Sequence, residues 1–223
     1  MKTPHGPAPR SLLPLLLLAT GALACKSAYY ATMEKFGVHK REILVDRVEE
    51  GRDAQQEAKK EIVDALQAFK AVAGFEGGEL EKVYDRLKDK YESSADAVEE
   101  VQGRIGKIEE VASDLFEEWA GEIRGMKDPE LKQSSQSMLD DTKNRCGRLV
   151  SAMKAAESRM EPVLEKLKDH VTFLKHNLNA RAVASLQKNL VTIETDVSAL
   201  VADMEKSIAE ADSFIAAMGT ENG

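Results

Sequence analysis

The chain has 223 residues, of which 31 are Lys or Arg and 39 are Asp or Glu, so its formal net charge at pH 7 is −8. A chain this acidic is repelled by the phosphate backbone, which argues against a nucleic-acid-binding protein. Aromatic residues make up only 5 % of the chain, and prolines number 6. A composition rich in Ala, Glu, Lys, Leu and Val with few prolines is typical of long helices.

Residues 1–24 have the features of a secretory signal peptide. The first ten residues, MKTPHGPAPR, carry only positive charges, on Lys2 and Arg10, and an apolar run follows from Ser11 to Ala24. A membrane-spanning helix needs about 20 apolar residues, so this run is too short to span a bilayer. A basic start, a short apolar middle and small residues at the end are typical of a cleaved signal.

The residues GALAC at the end of this segment resemble the lipobox of bacterial lipoproteins. The resemblance implies that the peptide is cut between Ala24 and Cys25 and that Cys25 carries a covalent lipid. Residues 25–30 then form a lipidated tether, and several acyl chains on one cysteine exceed what stable membrane anchoring needs. By the same resemblance, Lys26 favours the outer membrane, with the protein facing the periplasm. No cofactor other than this lipid is expected.

Apolar residues recur in alternating steps of four and three along nearly all of the remaining chain, in four segments. This spacing winds an apolar seam along one helix face and is the coiled-coil pattern. The seams run through Leu44, Val48, Gly51, Gln55, Ala58, Ile62, Ala65, Phe69 and Val72; through Leu80, Tyr84, Leu87, Tyr91, Ser94, Val98, Val101, Ile105, Ile108, Ala112, Leu115 and Trp119; through Leu131, Ser135, Met138, Thr142, Cys146, Leu149, Met153, Ala156, Met160, Val163, Leu167, Val171, Leu174 and Leu178; and through Val183, Leu186, Leu190, Ile193, Val197, Leu200, Met204, Ile208, Ala211 and Ile215. They predict helices near 31–72, 79–124, 129–176 and 180–218.

Glycine, proline and asparagine mark the breaks between these segments. In AGFEGGEL, Gly74 is expected to end the first helix with a positive φ, and two further glycines allow the chain to reverse. In RGMKDPEL, Asp128 is expected to cap the third helix, with Pro129 at its first position. In KHNLNARA, Asn177 and Asn179 offer a left-handed residue and a cap, although a continuous helix is also compatible with this stretch.

Four helices of similar length joined by short turns favour an all-α fold, an elongated antiparallel four-helix bundle, because each apolar stripe must pack on another. A single bundle domain is expected at 31–219, followed by a disordered tail at 220–223. The alternative is a three-helix rod with one segment paired in trans. Gly51 and Gln55 on the first seam mark either a contact in a homo-oligomer or small and polar interruptions inside a monomer.

Four longer stretches carry a resemblance to one family. They are YYATMEKFGVHKREILVDRVEEGRDAQQEAKK, FEGGELEKVYDRL, AAESRMEPVLEKLKDHVTFLKHNLNARAVASLQ and IETDVSALVADMEKSIAEADSFI. Over nearly all of its mature length the chain resembles bacterial lipoproteins of unknown function, domain-of-unknown-function family 2959. The resemblance implies the envelope of a Gram-negative proteobacterium and brings no assigned activity.

Few residues carry chemistry that a helical bundle leaves unexplained. His176, Asn177 and Asn179 form the most unusual local group and are a candidate recognition tip, with a capped turn as the structural interpretation. The E-x-x-H motif of di-metal bundles does not occur. His39 and Glu42, spaced i,i+3, form a single pair without a matching acidic cluster, so no metal site is predicted.

Cys146 lies on the third seam and is therefore expected to be a buried, apolar residue. Arg145 and Arg148 flank it and would lower the pKa of an accessible thiol, which leaves a redox site as the other interpretation. Trp119 is expected to anchor the second helix in the core. The sequence contains no phosphate loop, nucleophile motif or C-x-x-C, so no catalytic residues and no enzyme are predicted.

Two functions fit these features. The first is a membrane-anchored periplasmic lipoprotein with a structural or interaction role, a scaffold or tether whose partner is an unknown envelope protein or cell-wall component. The alternative is a ligand- or metal-binding helical bundle that acts in envelope homeostasis. Remodelling of membranes by helices lying on lipid is opposed by the charge of about −10 that remains without residues 1–24, with 29 basic against 39 acidic residues.

Overall fold

The computed structural model describes residues 40–220. This part of the chain forms four α-helices, α1 Lys40–Ala73, α2 Leu80–Gly125, α3 Pro129–His176 and α4 Ala180–Thr220, and contains no strand. The predicted all-α class is confirmed, and seven of the eight predicted helix ends lie within two residues of those found. The eighth, the predicted start near residue 31, lies outside the described residues, as do residues 221–223 of the predicted tail.

The turn between α2 and α3 follows the expected capping chemistry. Asp128 precedes α3, and its carboxylate accepts hydrogen bonds from the backbone N–H groups of Glu130 and Leu131 at 2.9 and 3.1 Å. Pro129 begins the helix, where its missing N–H has no partner to lose. The third helix therefore starts where the sequence indicates.

The turn between α1 and α2 corrects one expectation. The positive φ of this turn is found at Gly78, at 111°, and not at Gly74. The N–H of Gly74 still bonds to the carbonyl of Lys70 at 2.8 Å, as in a continuing helical turn. The chain thus leaves the helix gradually and reverses at Gly78, where the missing side chain permits this conformation.

Ion pairs between neighbouring helices show that the chain direction alternates. Between α1 and α4, Arg52 pairs with Asp212 at 3.1 Å and Lys70 pairs with Glu194 at 2.6 Å, so one helix ascends as the other descends. The other neighbouring helices are also joined by ion pairs, such as Lys90–Glu61 between α1 and α2, Lys154–Glu109 between α2 and α3, and Arg159–Asp203 between α3 and α4. Every helix has two antiparallel neighbours within the chain, so the three-helix alternative is wrong.

Apolar side chains from all four helices fill the centre of the bundle. All nine positions of the first predicted seam are buried, as are most positions of the second. Phe69, Leu87, Met160 and Leu186, one from each helix, are among the largest side chains that are completely buried. Burial of a side chain of this size contributes about 1.5–3 kcal/mol, so these stripes supply the main attraction between the helices.

The third and fourth seams contain errors at their ends. Leu131 and Met138 are exposed, and α3 instead turns Leu139 inward. On α4 the buried positions after Met204 are Ser207, Ala211, Phe214 and Met218, each followed by a half-exposed or exposed neighbour. The predicted Ile208 and Ile215 therefore lie one residue away from the true seam.

Gly51 and Gln55 lie inside the bundle of a single chain. Both are buried, and a Cβ atom added at Gly51 would lie 2.8 Å from Ile108 and 3.0 Å from Met153, on α2 and α3. The interpretation of these two residues as a contact with a second chain is therefore wrong. They are interruptions of the seam within the monomer, and Gly51 allows the helices to approach closely.

Candidate functional site at the α3–α4 turn

The α3–α4 turn lies at the end of the bundle that is remote from the start of α1. Near that start, Arg41 donates a hydrogen bond to the sulfur of Met218 at 3.9 Å, close to the end of α4. At the far end of α1, Lys70 pairs with Glu194, which follows the start of α4 at Ala180 by 14 residues. The 34 residues of α1 span about 51 Å, because each helical residue advances 1.5 Å. The turn thus lies at least this far along the bundle from the start of α1.

The two asparagines of the candidate recognition tip are used within the turn. The side chain of Asn179 accepts hydrogen bonds from the backbone N–H groups of Arg181 and Ala182 at 3.0 and 3.1 Å, which caps α4. The amide of Asn177 donates to the carbonyl of Phe173 at 2.9 Å, which closes the end of α3. The turn predicted here is therefore real, and the continuous helix is excluded.

Asn177 does not adopt the left-handed conformation expected for it. Its φ of −138° and ψ of 52° lie outside that region, and no residue other than glycine has a positive φ within 40–220. The backbone N–H of Asn177 bonds to the carbonyl of Leu174 at 3.0 Å instead. His176, by contrast, is exposed. The structure thus assigns a capping role to the asparagines and leaves the imidazole of His176 accessible to a partner.

The segment around this turn differs in charge from the rest of the chain. Residues 170–193, here called the acid-free tip, contain no Asp or Glu, although the chain has 39 of them. The tip carries Lys175, Arg181 and Lys188, all exposed. Within the described part of the chain, none of these three has an ion-pair partner within 4 Å, whereas many other Lys and Arg residues of the bundle do. The tip is a local concentration of unneutralised positive charge.

The same segment exposes large apolar side chains. Phe173 is 41 % exposed, Leu178 is 38 % exposed and Val191 is 71 % exposed. These are three of the six large apolar side chains that are exposed within residues 40–220, and the other three lie at the opposite end, between Met126 and Met138. Within the acid-free tip the exposed apolar groups lie among cations alone, whereas at the opposite end Asp128 and Glu130 lie among them.

A groove lies between the α1–α2 turn and the start of α4, so the acid-free tip forms one of its walls. Its volume is about 330 Å³, and it is lined by Phe75, Glu76, Leu80, Ala180, Val183, Ala184 and Gln187. Most of these side chains are apolar, and Glu76 and Gln187 provide polar groups at the wall. A groove of this size accommodates one side chain or a short apolar segment of a ligand.

The remaining candidate residues have structural roles where the structure describes them. Cys146 is buried, and this burial raises the pKa of its thiol to about 11, with a smaller contribution from Glu109. Arg145 and Arg148 line a separate groove of about 130 Å³ between α3 and α4. The prediction of a core cysteine is therefore confirmed, and the charges beside it in sequence do not activate its thiol.

Trp119 is half-buried, and its indole N–H donates a hydrogen bond to the hydroxyl of Ser135 at 2.8 Å. It thus joins α2 to α3 near their turn and is not the fully buried anchor that its seam position predicts.

Several predicted positions lie outside the described residues. These are Ala24 and Cys25 at the expected cleavage and lipidation site, and His39 of the His39–Glu42 pair. Within residues 40–220, no three His, Cys, Asp or Glu side chains are grouped so that they hold a metal ion. None of the helices in this range has an apolar stretch long enough to cross a bilayer.

Sequence reasoning identified the turn but missed the acid-free tip and the groove. The signal for the acid-free tip was present in the sequence, since 24 consecutive residues without Asp or Glu stand out in an acidic chain. The groove depends on how the α1–α2 turn packs beside α4 and has no signal in the sequence.

Comparisons with known proteins place the chain in a family. Neither a search of curated proteins nor a search of solved structures found a match. One family model, described as a protein of unknown function (DUF2959), matches residues 29–218. This range includes all four helices up to Met218 and the α3–α4 turn. Because the match covers most of the chain, the protein belongs to the DUF2959 family, a family of proteins of unknown function.

Proposed function

We propose that this protein is a lipid-anchored lipoprotein of the outer membrane that faces the periplasm and acts as a scaffold or tether. The observation that carries the proposal is the position of the acid-free tip, which lies about one length of α1 from the N-terminal side of the bundle. The apolar seams are used within the chain, so the bundle has its own core, and the acid-free surface lies at one end. A bundle of this kind suits a role in holding a partner at a distance from a membrane.

The N-terminal sequence supports the anchor. Residues 1–24 have a basic start and a short apolar run, and Cys25 follows Ala24 as in a lipobox. Each CH2 group of an acyl chain that enters the bilayer contributes about 0.8 kcal/mol, so several chains on Cys25 hold the protein stably. Lys26 favours retention at the outer membrane.

Metabolic labelling with a palmitate analogue tests the anchor. We expect wild-type protein to incorporate the label, Cys25→Ser to lose it, and Cys146→Ser to keep it, since Cys146 is buried in the bundle. Globomycin, which blocks lipoprotein signal peptidase, should make the uncleaved precursor accumulate. Label on the Cys25→Ser variant, or normal processing in globomycin, contradicts the proposal.

Site-specific crosslinking tests the scaffold role. A photoreactive residue at Leu178 should capture a defined envelope component reproducibly, because this side chain is exposed at the tip. The same residue at Ser198, an exposed position on the flank of α4, is the control and should not capture that component. Equal products from both positions argue against a specific partner at the tip.

The groove beside the tip favours a second candidate function, a ligand-binding bundle that acts in envelope homeostasis. Its volume of about 330 Å³ and its mainly apolar lining fit a small apolar ligand. A thermal-shift screen with lipids and cell-wall fragments should then find a ligand whose effect disappears in Ala184→Trp, which fills the groove. A flat screen, or an effect that Ala184→Trp leaves unchanged, removes this candidate.

A further inference from the structure

We propose that the acid-free tip docks on an anionic lipid surface. This inference rests on the proposed function and names the partner at the far end of the scaffold. Lys175, Arg181 and Lys188 supply the attraction for phosphate headgroups, and Phe173 and Leu178 enter the boundary between headgroups and acyl chains.

The arrangement of the cations suits a flat, negatively charged surface. Arg181 and Lys188 are seven residues apart on α4, which places them on the same helix face two turns apart. Lys175 is at the end of α3, on the other side of the turn. All three are exposed and lack ion-pair partners among the described residues, so binding would break no existing pair.

The exposed apolar side chains favour lipid over an anionic polymer or an acidic protein segment. A soluble polyanion is bound by charge alone and gains little from an exposed phenylalanine or leucine, whereas a bilayer interface accommodates both cations and apolar groups. Phe173 and Leu178 lie on either side of His176 and Asn177 at the bundle end. Both side chains are exposed and are therefore accessible to a surface that meets the turn.

The net charge of about −10 that remains without residues 1–24, with 29 basic against 39 acidic residues, does not exclude this contact. Charges more than about 8–10 Å away are largely screened at physiological ionic strength. The acidic residues that follow the tip are already neutralised, Glu194 by Lys70 and Asp196 by Lys166. Glu76, Glu81, Asp85 and Asp169 are further exposed acids at this end of the bundle, together with Glu79, which pairs with Lys82. The three cations of the tip lie on α3 and α4, where Asp169 is the neighbouring exposed acid, whereas the other exposed acids lie on the α1–α2 turn and α2.

Vesicle bridging by the full chain tests the proposal. The protein is first attached through its own N-terminus to neutral phosphatidylcholine vesicles, and labelled vesicles with 30 % phosphatidylglycerol are then added. We expect the anionic vesicles to be captured at low salt and released as NaCl increases. Capture should fall at least about 100-fold in the triple variant Lys175→Glu, Arg181→Glu, Lys188→Glu, because each lost cation accounts for roughly fivefold in binding and each new carboxylate adds repulsion.

The matched control carries the same change of charge elsewhere, in Lys127→Glu, Lys132→Glu, Lys206→Glu, at exposed positions away from the tip. Capture of anionic vesicles by this control variant should fall by no more than about fivefold, which is roughly the effect of one cation. A double variant, Phe173→Ser and Leu178→Ser, should also weaken capture. Circular dichroism establishes that all variants fold.

Each outcome decides the proposal. Equal losses of capture in the tip and control variants overturn the proposal. It is also overturned if soluble polyglutamate binds as strongly as the vesicles do and this binding is insensitive to the Phe173 and Leu178 changes. That result would assign the tip to an anionic polymer. If the chain fails to attach to neutral vesicles, the anchor proposal fails. Sedimentation of the same variants with anionic vesicles alone then still decides the role of the tip.

Discussion

The ring of His170 on α3 packs edge-on against the ring of Phe69 on α1, with ring centroids 5.1 Å apart and ring planes at 62°. α1 and α3 each have α2 and α4 as neighbours, so this contact crosses the diagonal of the bundle. Phe69 is completely buried and His170 is half-buried. Burial lowers the pKa of His170 below its ordinary value of 6.5, and the nearby carboxylate of Asp169 opposes this only in part.

The first prediction concerns the pH dependence of stability. As the pH falls below 6.5, the unfolded chain binds a proton at His170 more readily than the folded chain does, so the free energy of unfolding decreases. Replacement by Phe removes this titration and keeps a ring beside Phe69. Urea denaturation between about pH 8 and pH 5 should therefore show a smaller loss of stability in His170→Phe than in wild type.

The exposed His176 provides the control for this measurement. His176→Phe removes a histidine at a position outside the core and should keep the wild-type pH response. If His170→Phe and wild type lose the same stability on acidification, the His170–Phe69 contact does not govern this response.

The second prediction concerns buried polar groups near the middle of the bundle. Ser207 is completely buried, and among the described residues its hydroxyl has no hydrogen-bond partner; the same holds for the amide of Gln55. The Arg52–Asp212 and Lys59–Glu205 ion pairs bracket these two residues on α1 and α4, so they lie at about the same level. A buried polar group without a partner costs about 1–3 kcal/mol.

Ser207→Ala should therefore increase the free energy of unfolding. Ser94 offers a matched control, because it is equally buried but its hydroxyl donates to the carbonyl of Lys90 at 2.7 Å. Both substitutions increase helix propensity by a similar amount, so the difference between their free energies of unfolding measures the cost of the unpaired hydroxyl. In urea denaturation, the free energy of unfolding of Ser207→Ala should exceed that of Ser94→Ala by about 1 kcal/mol. Equal effects would mean that the hydroxyl of Ser207 finds a partner in solution.

The sequence contained enough information to predict the four helices and their main seams. A long heptad pattern is repeated so often that a single polar or small residue, such as Gln55 or Gly51, does not obscure it. The cap at Asp128 was also predictable, because its bonds to Glu130 and Leu131 depend only on local sequence.

The errors occur where neighbouring residues compete for one position. At 138–139 and 214–215 both residues are apolar, so composition cannot select between them. At 207–208 the pattern favours Ile208 over a serine, yet a helix with 3.6 residues per turn drifts against a strict seven-residue repeat. Leu178 was assigned to a seam that extends past the end of α3 at His176, where helical spacing no longer applies.

The third prediction concerns close packing at Gly51. Beyond the backbone of its own helix and its chain neighbours, Gly106 on α2 has nothing within 4 Å of where its Cβ would lie. Gly106→Ala should therefore stabilise the protein by about 0.5–1 kcal/mol through helix propensity. Gly51→Ala has the same propensity gain, but its Cβ would lie 2.8 Å from Cδ1 of Ile108 and 3.0 Å from Cε of Met153. Both atoms end flexible side chains, so a small shift relieves the contact.

Gly51→Ala should therefore gain less stability than Gly106→Ala, and Gly51→Leu should lose about 1–3 kcal/mol because its side chain overfills the core. Thermal and urea denaturation of the three variants measure the order. A Gly51→Leu variant as stable as wild type would show that the helices separate at this level without cost, contrary to the packing described above.

The fourth prediction concerns the reactivity of Cys146. With a pKa of about 11, only about one thiol in a thousand is ionised at pH 8, compared with about one in ten at the ordinary value of 9.0. In a Cys25→Ser background, alkylation by iodoacetamide should therefore be at least about 100-fold slower in the folded protein than in urea, and burial slows it further. Arg145→Gln and Arg148→Gln should leave the native rate unchanged. A fast native reaction that slows when these arginines are removed would instead indicate an activated thiol, and the core role of Cys146 would be wrong.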